Sequence, residues 1–258
     1  MIPSPTFIPT ASAVVAAVQF APRPDEPDAN CSWALGYVHQ AARNGAAIIV
    51  LPELCTGGCV LHDKREALFV AQPKEGTYSA AFQATATAYG CYIVFGYVEF
   101  FNNKLYNSAC VVGPMGIVAN VQKHNLWASD HLWAQASEQL HPVVITPLGR
   151  MGVLIGGDVK NEDRDSYSFK NDDHRFYKKG SVDVVAHPTA WMGQRFPDDD
   201  WISLAESLDA NVIVSGRVGS ERGNKFRGGS CIVMRDGNVV TAGTSLVDET
   251  IVTCGALP

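Results

Sequence analysis

Three apolar runs end on residues that could do chemistry. Glu53 follows Ala46-Ala-Ile-Ile-Val-Leu51 and Pro52, Lys123 follows the run at residues 117–121 and Gln122, and Met151-Gly152-Val153-Leu154-Ile155 ends on Gly156-Gly157-Asp158. The last run is short, rich in branched residues and bounded by glycine, which favours a strand over a helical turn. Glycine at a strand end admits a sharp bend or a positive φ, and such an elbow presents whatever it carries to a pocket. Position 156 carries no side chain. Three strand ends that carry Glu53, Lys123 and Gly156 can meet at one sheet edge, where α/β folds place ligand sites; otherwise the two charges are a structural ion pair or two unrelated exposed charges.

Other residues have a functional and a structural reading. Cys55 and Cys59 could be a displaced nucleophile or half of a metal site, but no His/Cys partner at metal-ligand spacing lies close in sequence, which favours an incidental role. Trp127 and Trp191 could wall a substrate pocket or pack in the core. His187 ends an apolar run, where a lone histidine is more often hydrogen-bonded structure than catalyst. The charge-dense stretch 160–173 could gate a pocket, although such loops are usually just solvated.

The elements that must position these residues alternate in type. Residues 13–20 predict a strand and 28–44 a helix stopped by Gly45, followed by a strand at 46–51 that is apolar throughout, as expected where both faces are covered. A helix follows at 77–89, and then three antiparallel strands at 91–100, 105–112 and 117–121. Strands at 143–146 and 151–155 form a hairpin over Pro147-Leu148-Gly149-Arg150, and a short helix is expected around 174–179. The remainder predicts a strand at 182–187, an amphipathic helix at 198–209 and a strand at 211–215. A polar loop at 217–228, a hairpin of 230–234 with 238–242, and a final strand at 249–254 complete it.

Composition narrows the class. Hydrophobic residues make up 47% and charged residues 18% of 258 positions, which suits a globular protein with a large core. The net charge of −6 and basic runs no longer than Lys64-Arg65 and Lys178-Lys179 argue against a nucleic-acid surface. No charged leader precedes the first apolar segment, which is too short to cross a bilayer, so a cytoplasmic chain with no membrane partner is expected. Seven cysteines, several inside apolar runs, suit buried thiols in a reducing compartment. No linker divides the chain, so residues 1–258 are expected to form one domain.

The order of several short motifs resembles one family. Leu51-Pro52-Glu53, Lys123-His124-Asn125-Leu126-Trp127, Gly152-Val153-Leu154-Ile155-x-x-Asp158 and Pro188-Thr189-Ala190-Trp191 are similar to successive signatures of the nitrilase superfamily of carbon-nitrogen hydrolases. Arg217-Val218-Gly219 and Phe226-x-Gly228-x-Ser230 resemble its later signatures. The resemblance implies a four-layer α-β-β-α sandwich and a Glu-Lys-Cys site acting on a small non-peptide amide, without cofactor or metal, commonly in a homodimer or higher oligomer. By position it makes Glu53 the general base and Lys123 the oxyanion donor, with the backbone N–H of Gly157 as a second donor. Asp130, beside His131, is the candidate auxiliary acid, and Trp127, His187 and Trp191 are candidate substrate contacts. The same resemblance expects the nucleophile at Gly156, so binding without turnover is expected, or else a non-catalytic relative serving as a ligand-binding or assembly subunit. The amphipathic segment 198–209 is the expected pairing surface.

Overall fold

The computed structural model describes residues 14–159, 176–192, 198–241 and 249–255. In chain order come β1 (Val14–Gln19), α1 (Pro27–Arg43), β2 (Ala46–Val50), α2 (Lys64–Val70), α3 (Thr77–Tyr89), β3 (Tyr92–Phe101), β4 (Lys104–Gly113), β5 (Gly116–Gln122) and α4 (Asp130–Trp133). The second half holds β6 (Val144–Thr146), β7 (Gly149–Val153), a 3-10 turn (Gly156–Val159), β8 (Val184–Thr189), α5 (Asp198–Leu208) and β9 (Asn211–Gly216). It closes with β10 (Val218–Glu221), β11 (Asn224–Arg227), β12 (Cys231–Val233), β13 (Val239–Thr241) and β14 (Thr250–Cys254).

Two six-stranded sheets result, ordered β14-β1-β2-β3-β4-β5 and β13-β12-β9-β8-β7-β6. In each, three neighbouring strands run parallel (β1, β2 and β3; β7, β8 and β9) and antiparallel strands complete the edges. Side-chain alternation with period two explains the layers. Val15 and Ala17 of β1 join Ile48, Val50, Met151, Val153, Val184 and Ala186 in the core between the sheets. Ala16 and Val18 point the other way, with Ile49, Ile93 and Phe95, onto Ala34 and Val38 of α1 and Phe82 and Ala86 of α3. On the far side, Val185, Val212 and Val214 pack against Trp201, Leu204 and Leu208 of α5. The architecture is the expected α-β-β-α sandwich.

Four local expectations need correction. Residues 217–228 are not a polar loop but carry the β10–β11 hairpin, in which Val218 and Phe226 are buried while the polar positions between them turn at Arg222 and Gly223, both at positive φ. Helix α2 was not expected. Asp63 caps it by accepting from Glu66 N at 2.8 Å, and the Glu66 carboxylate accepts from His62 N at 2.9 Å, so reciprocal side-chain capping starts a helix only seven residues long. Residues 176–179 are not helical, because Tyr177 is drawn under β7, where its hydroxyl accepts from Val153 N and donates to Pro142 O. Residues 160–175, which held the expected loop and the start of that helix, lie outside the described residues. Finally, Trp201, Leu204 and Leu208 are spent on the chain's own core, so that face of α5 is not available for pairing. Among the described residues, no helix is long and apolar enough to cross a membrane.

Candidate active site

Glu53 stands three residues beyond β2, on a backbone pressed against β3. Gly96 of β3 makes this approach possible, since a Cβ there would stand 2.5 to 2.7 Å from the backbone of Pro52, Glu53 and Leu54. Leu54 is held at a φ of 48°, a conformation that costs a non-glycine residue energy and is tolerated where the surroundings enforce it. Lys123 continues β5, its N–H donating to Asn107 O of β4 at 2.8 Å, which sets the side chain on the same edge. Asp130 opens the single turn α4, seven residues later.

The structure brings these three together. Lys123 Nζ donates to Glu53 Oε1 and to Asp130 Oδ2, both at 2.6 Å, with all three side chains almost fully buried. Asn107 completes the cluster, its Nδ2 reaching Glu53 Oε1 at 2.9 Å and Asp130 Oδ1 at 3.2 Å. Nothing in the sequence motifs singles Asn107 out; the available signal was a polar residue inside the apolar strand Leu105–Val112. Trp127 N also donates to Asp130 Oδ2, at 3.1 Å, which ties the turn to the carboxylate it carries.

Two unspent groups give the cluster its chemical capacity. An ammonium has three N–H bonds, and two of those on Lys123 are used, which leaves one for an incoming oxygen. Glu53 Oε1 accepts from Lys123 and Asn107, while Oε2, the nearer of the two oxygens to where a Cβ on Gly156 would sit, faces the elbow. Burial pushes the Glu53 carboxyl above its ordinary range, against the pull of Lys123 and with the help of the Asp130 charge. Burial would lower the Lys123 ammonium, but Asp130 and Glu53 more than reverse this and hold it charged. A carboxylate of raised pKa beside a fixed cation can take a proton from a group near position 156 and steady negative charge on a bound carbonyl.

Gly156 has a φ of 43° and begins the 3-10 turn, so the glycine elbow is where the sequence placed it. Gly157 lies under Asn125 O, which a Cβ would approach to 2.8 Å, and Trp127 Cβ flanks the same point at 3.6 Å. Trp127, 53% exposed, therefore stands beside the elbow. His187 is buried on the α5 side of β8, near Trp201, with Nδ1 at 2.8 Å from Leu154 O. A carbonyl can only accept, so Nδ1 carries the proton and the ring props the elbow from behind. Trp191 lies two residues past β8, half-buried, its carbonyl accepting from Arg227 N at 3.0 Å. Cys55 donates to Gly96 O and Cys59 to Glu53 O, and burial raises both thiols, that of Cys59 to about 12. Neither is poised as a nucleophile. Among the described residues no group of three or more His, Cys, Asp and Glu side chains could hold a metal.

Comparison with known proteins agrees with this fold. A nitrilase of Pyrococcus abyssi (strain GE5 / Orsay) is 31% identical over 236 residues, covering 91% of this chain and 86% of that one. Among solved structures, an amidase from Nesterenkonia sp. superposes with a TM-score of 0.79 at 19% identity, over 99% of this chain and 94% of the other. A CN-hydrolase superfamily protein of Xanthomonas campestris superposes with a TM-score of 0.78 at 18% identity, over 95% and 90%. The model of the carbon-nitrogen hydrolase family matches residues 14–254, from the first strand to the last. This chain belongs to the carbon-nitrogen hydrolase family.

Proposed function

We propose that the site is that of an amidase which binds a small non-peptide amide without turning it over. The observation that carries this reading is the aim of Glu53 Oε2 at Gly156, beside a Lys123 ammonium with one N–H unspent. A base and an oxyanion donor are kept, and the atom that would attack the carbonyl is missing. Where nucleophile and base work as a unit, loss of the nucleophile costs about a million-fold in turnover. The Nesterenkonia amidase, whose cysteine variants were crystallised with butyramide and acrylamide, suggests the size of ligand to try. Calorimetric titration with butyramide should give saturable binding that Glu53→Gln weakens, with no ammonia released, while Gly156→Cys should release it. Ammonia from the unaltered chain would refute the nucleophile assignment.

One observation favours a second reading, a non-catalytic ligand-binding or assembly subunit. Glu53 Oε2 lies in the space that a side chain at 156 would need, as if the site had closed over the missing group. A folded Gly156→Cys protein that hydrolyses none of a panel of aliphatic and amino-acid amides would decide for this reading. Self-association belongs to both readings. Side chains such as Phe69 and Ile145, 69% and 68% exposed, leave apolar surface for it. A monomer of 27.8 kDa in sedimentation at micromolar concentration would overturn that part.

A further inference from the structure

Asp158 lies outside the cluster of Glu53, Lys123, Asp130 and Asn107, yet every bond it makes runs to the backbone beside that cluster. It is 2% exposed. Oδ1 accepts from His124 N at 3.0 Å and Asn125 N at 2.9 Å, the two residues after Lys123. Oδ2 accepts from Ile155 N at 3.1 Å, the residue before Gly156, and the N–H of Asp158 itself donates to Ile155 O at 2.9 Å. One carboxylate thus joins the chain leaving Lys123 to the chain entering the elbow. These segments come from different sheets, β5 of the first and β7 of the second, and no strand pairing holds them in register.

We propose that Asp158 is the positioning residue of the site, setting the distance between the Lys123 ammonium and the Gly156-Gly157 backbone so that one carbonyl oxygen fits between them. The inference rests on the amide-binding reading. Its chemistry calls for an anion with two acceptor oxygens. An asparagine of the same shape keeps the oxygen facing His124 and Asn125 but turns an NH2 against the N–H of Ile155, donor against donor. Burial pushes the Asp158 carboxyl up, against the N–H bonds of Asn125 and Ile155 and the Lys123 charge, so the anion is held at a cost. A carboxylate that served only to fill space would be replaced at no loss by a neutral group of equal volume.

The test uses iodoacetamide, a small amide that alkylates a thiol with loss of iodide, on Gly156→Cys and on Gly156→Cys/Asp158→Asn. Rates are read across concentration, with butyramide as protectant and melting curves for both proteins. The single variant should alkylate saturably at position 156, and adding Asp158→Asn should lower the maximal rate by about tenfold or more, since small misplacements of reacting groups are that costly. Asp158→Glu, which keeps both oxygens on a longer stem, should recover part of the rate, and it replaces Asp158→Asn if that protein does not fold. Equal maximal rates in the single variant and in a folded double variant would overturn this inference alone. A single variant that alkylates no faster than free cysteine, without butyramide protection, would sink the amide-binding reading and this inference with it.

Discussion

A Cβ built on Gly156 would overlap Oε2 of Glu53, closer than unbonded heavy atoms of these types come. The oxygen belongs to the end of a side chain, which could swing away, but its carboxylate is tethered through Oε1 to Lys123 and Asn107. Glycine and glutamate are therefore coupled across two sheets, although more than a hundred residues separate them.

Gly156→Ala should expose that coupling. The φ of 43° alone costs an L-residue about 1–2 kcal/mol, and displacing a tethered carboxylate adds to it. A melting temperature several degrees lower is expected, with part of the loss recovered in Glu53→Ala/Gly156→Ala. If the two substitutions prove additive in a double-mutant cycle, Glu53 is free to move and the coupling does not exist.

Lys123→Met should be the most damaging single change in the cluster. It leaves Glu53 and Asp130 buried around no cation, and breaking a buried pair in this way costs about 3–5 kcal/mol. The sign with pH follows. Without Lys123, burial pushes the Glu53 carboxyl further towards its neutral form, so the deficit should shrink as pH falls into the carboxylate range and grow above it. Urea unfolding at two pH values would show this, and a deficit independent of pH would contradict it.

Asn107→Leu removes the one neutral donor shared by Glu53 Oε1 and Asp130 Oδ1. Two charge-assisted bonds disappear while Lys123 remains, so a smaller cost of about 1–3 kcal/mol is expected. The same change should weaken amide binding, because Glu53 loses one of the two groups that turn Oε2 to the elbow. Unaltered affinity for butyramide in a folded Asn107→Leu protein would make Asn107 a purely structural residue.

How far the site was legible depended on whether a residue's place follows from local pattern. Glu53, Lys123 and Gly156 each close an apolar run, and a strand end fixes where a side chain emerges; their convergence needed only the topology. Asp130 was reached through resemblance, since no periodicity marks a single helical turn. Asn107 was not reached, because a polar residue within a buried strand can face either layer, and only the pairing of β4 with β5 turns it to Lys123. The β10–β11 hairpin was missed for a related reason. Its charged residues suggest solvent, yet Arg217 and Glu221 are buried against each other, and Glu221 also accepts from the backbone of Cys59 and Val60. Such tertiary pairing overrides composition.

His187 gives the last prediction. Burial lowers its imidazole from 6.5 to about 4, so the folded chain holds it neutral. In the unfolded chain the ring protonates below its ordinary value, and the folded state then pays for excluding the proton. The contribution to stability is therefore fully present above about pH 6.5 and is lost as pH falls towards 4, with a slope of about 1.4 kcal/mol per pH unit between. Glu53 and Asp158 act in the opposite sense, since a raised carboxyl favours the folded state at low pH and loses that contribution as pH rises. A variant that alters only position 187 separates the two. In His187→Asn an amide N–H can replace Nδ1–H on the Leu154 carbonyl without titrating, while the carboxyls remain. Between pH 7 and 5 the parent should lose about 2 kcal/mol relative to this variant, read as converging urea midpoints. Parallel curves over that range would show that the ring titrates alike in both states, and that its burial behind the elbow does not hold it neutral.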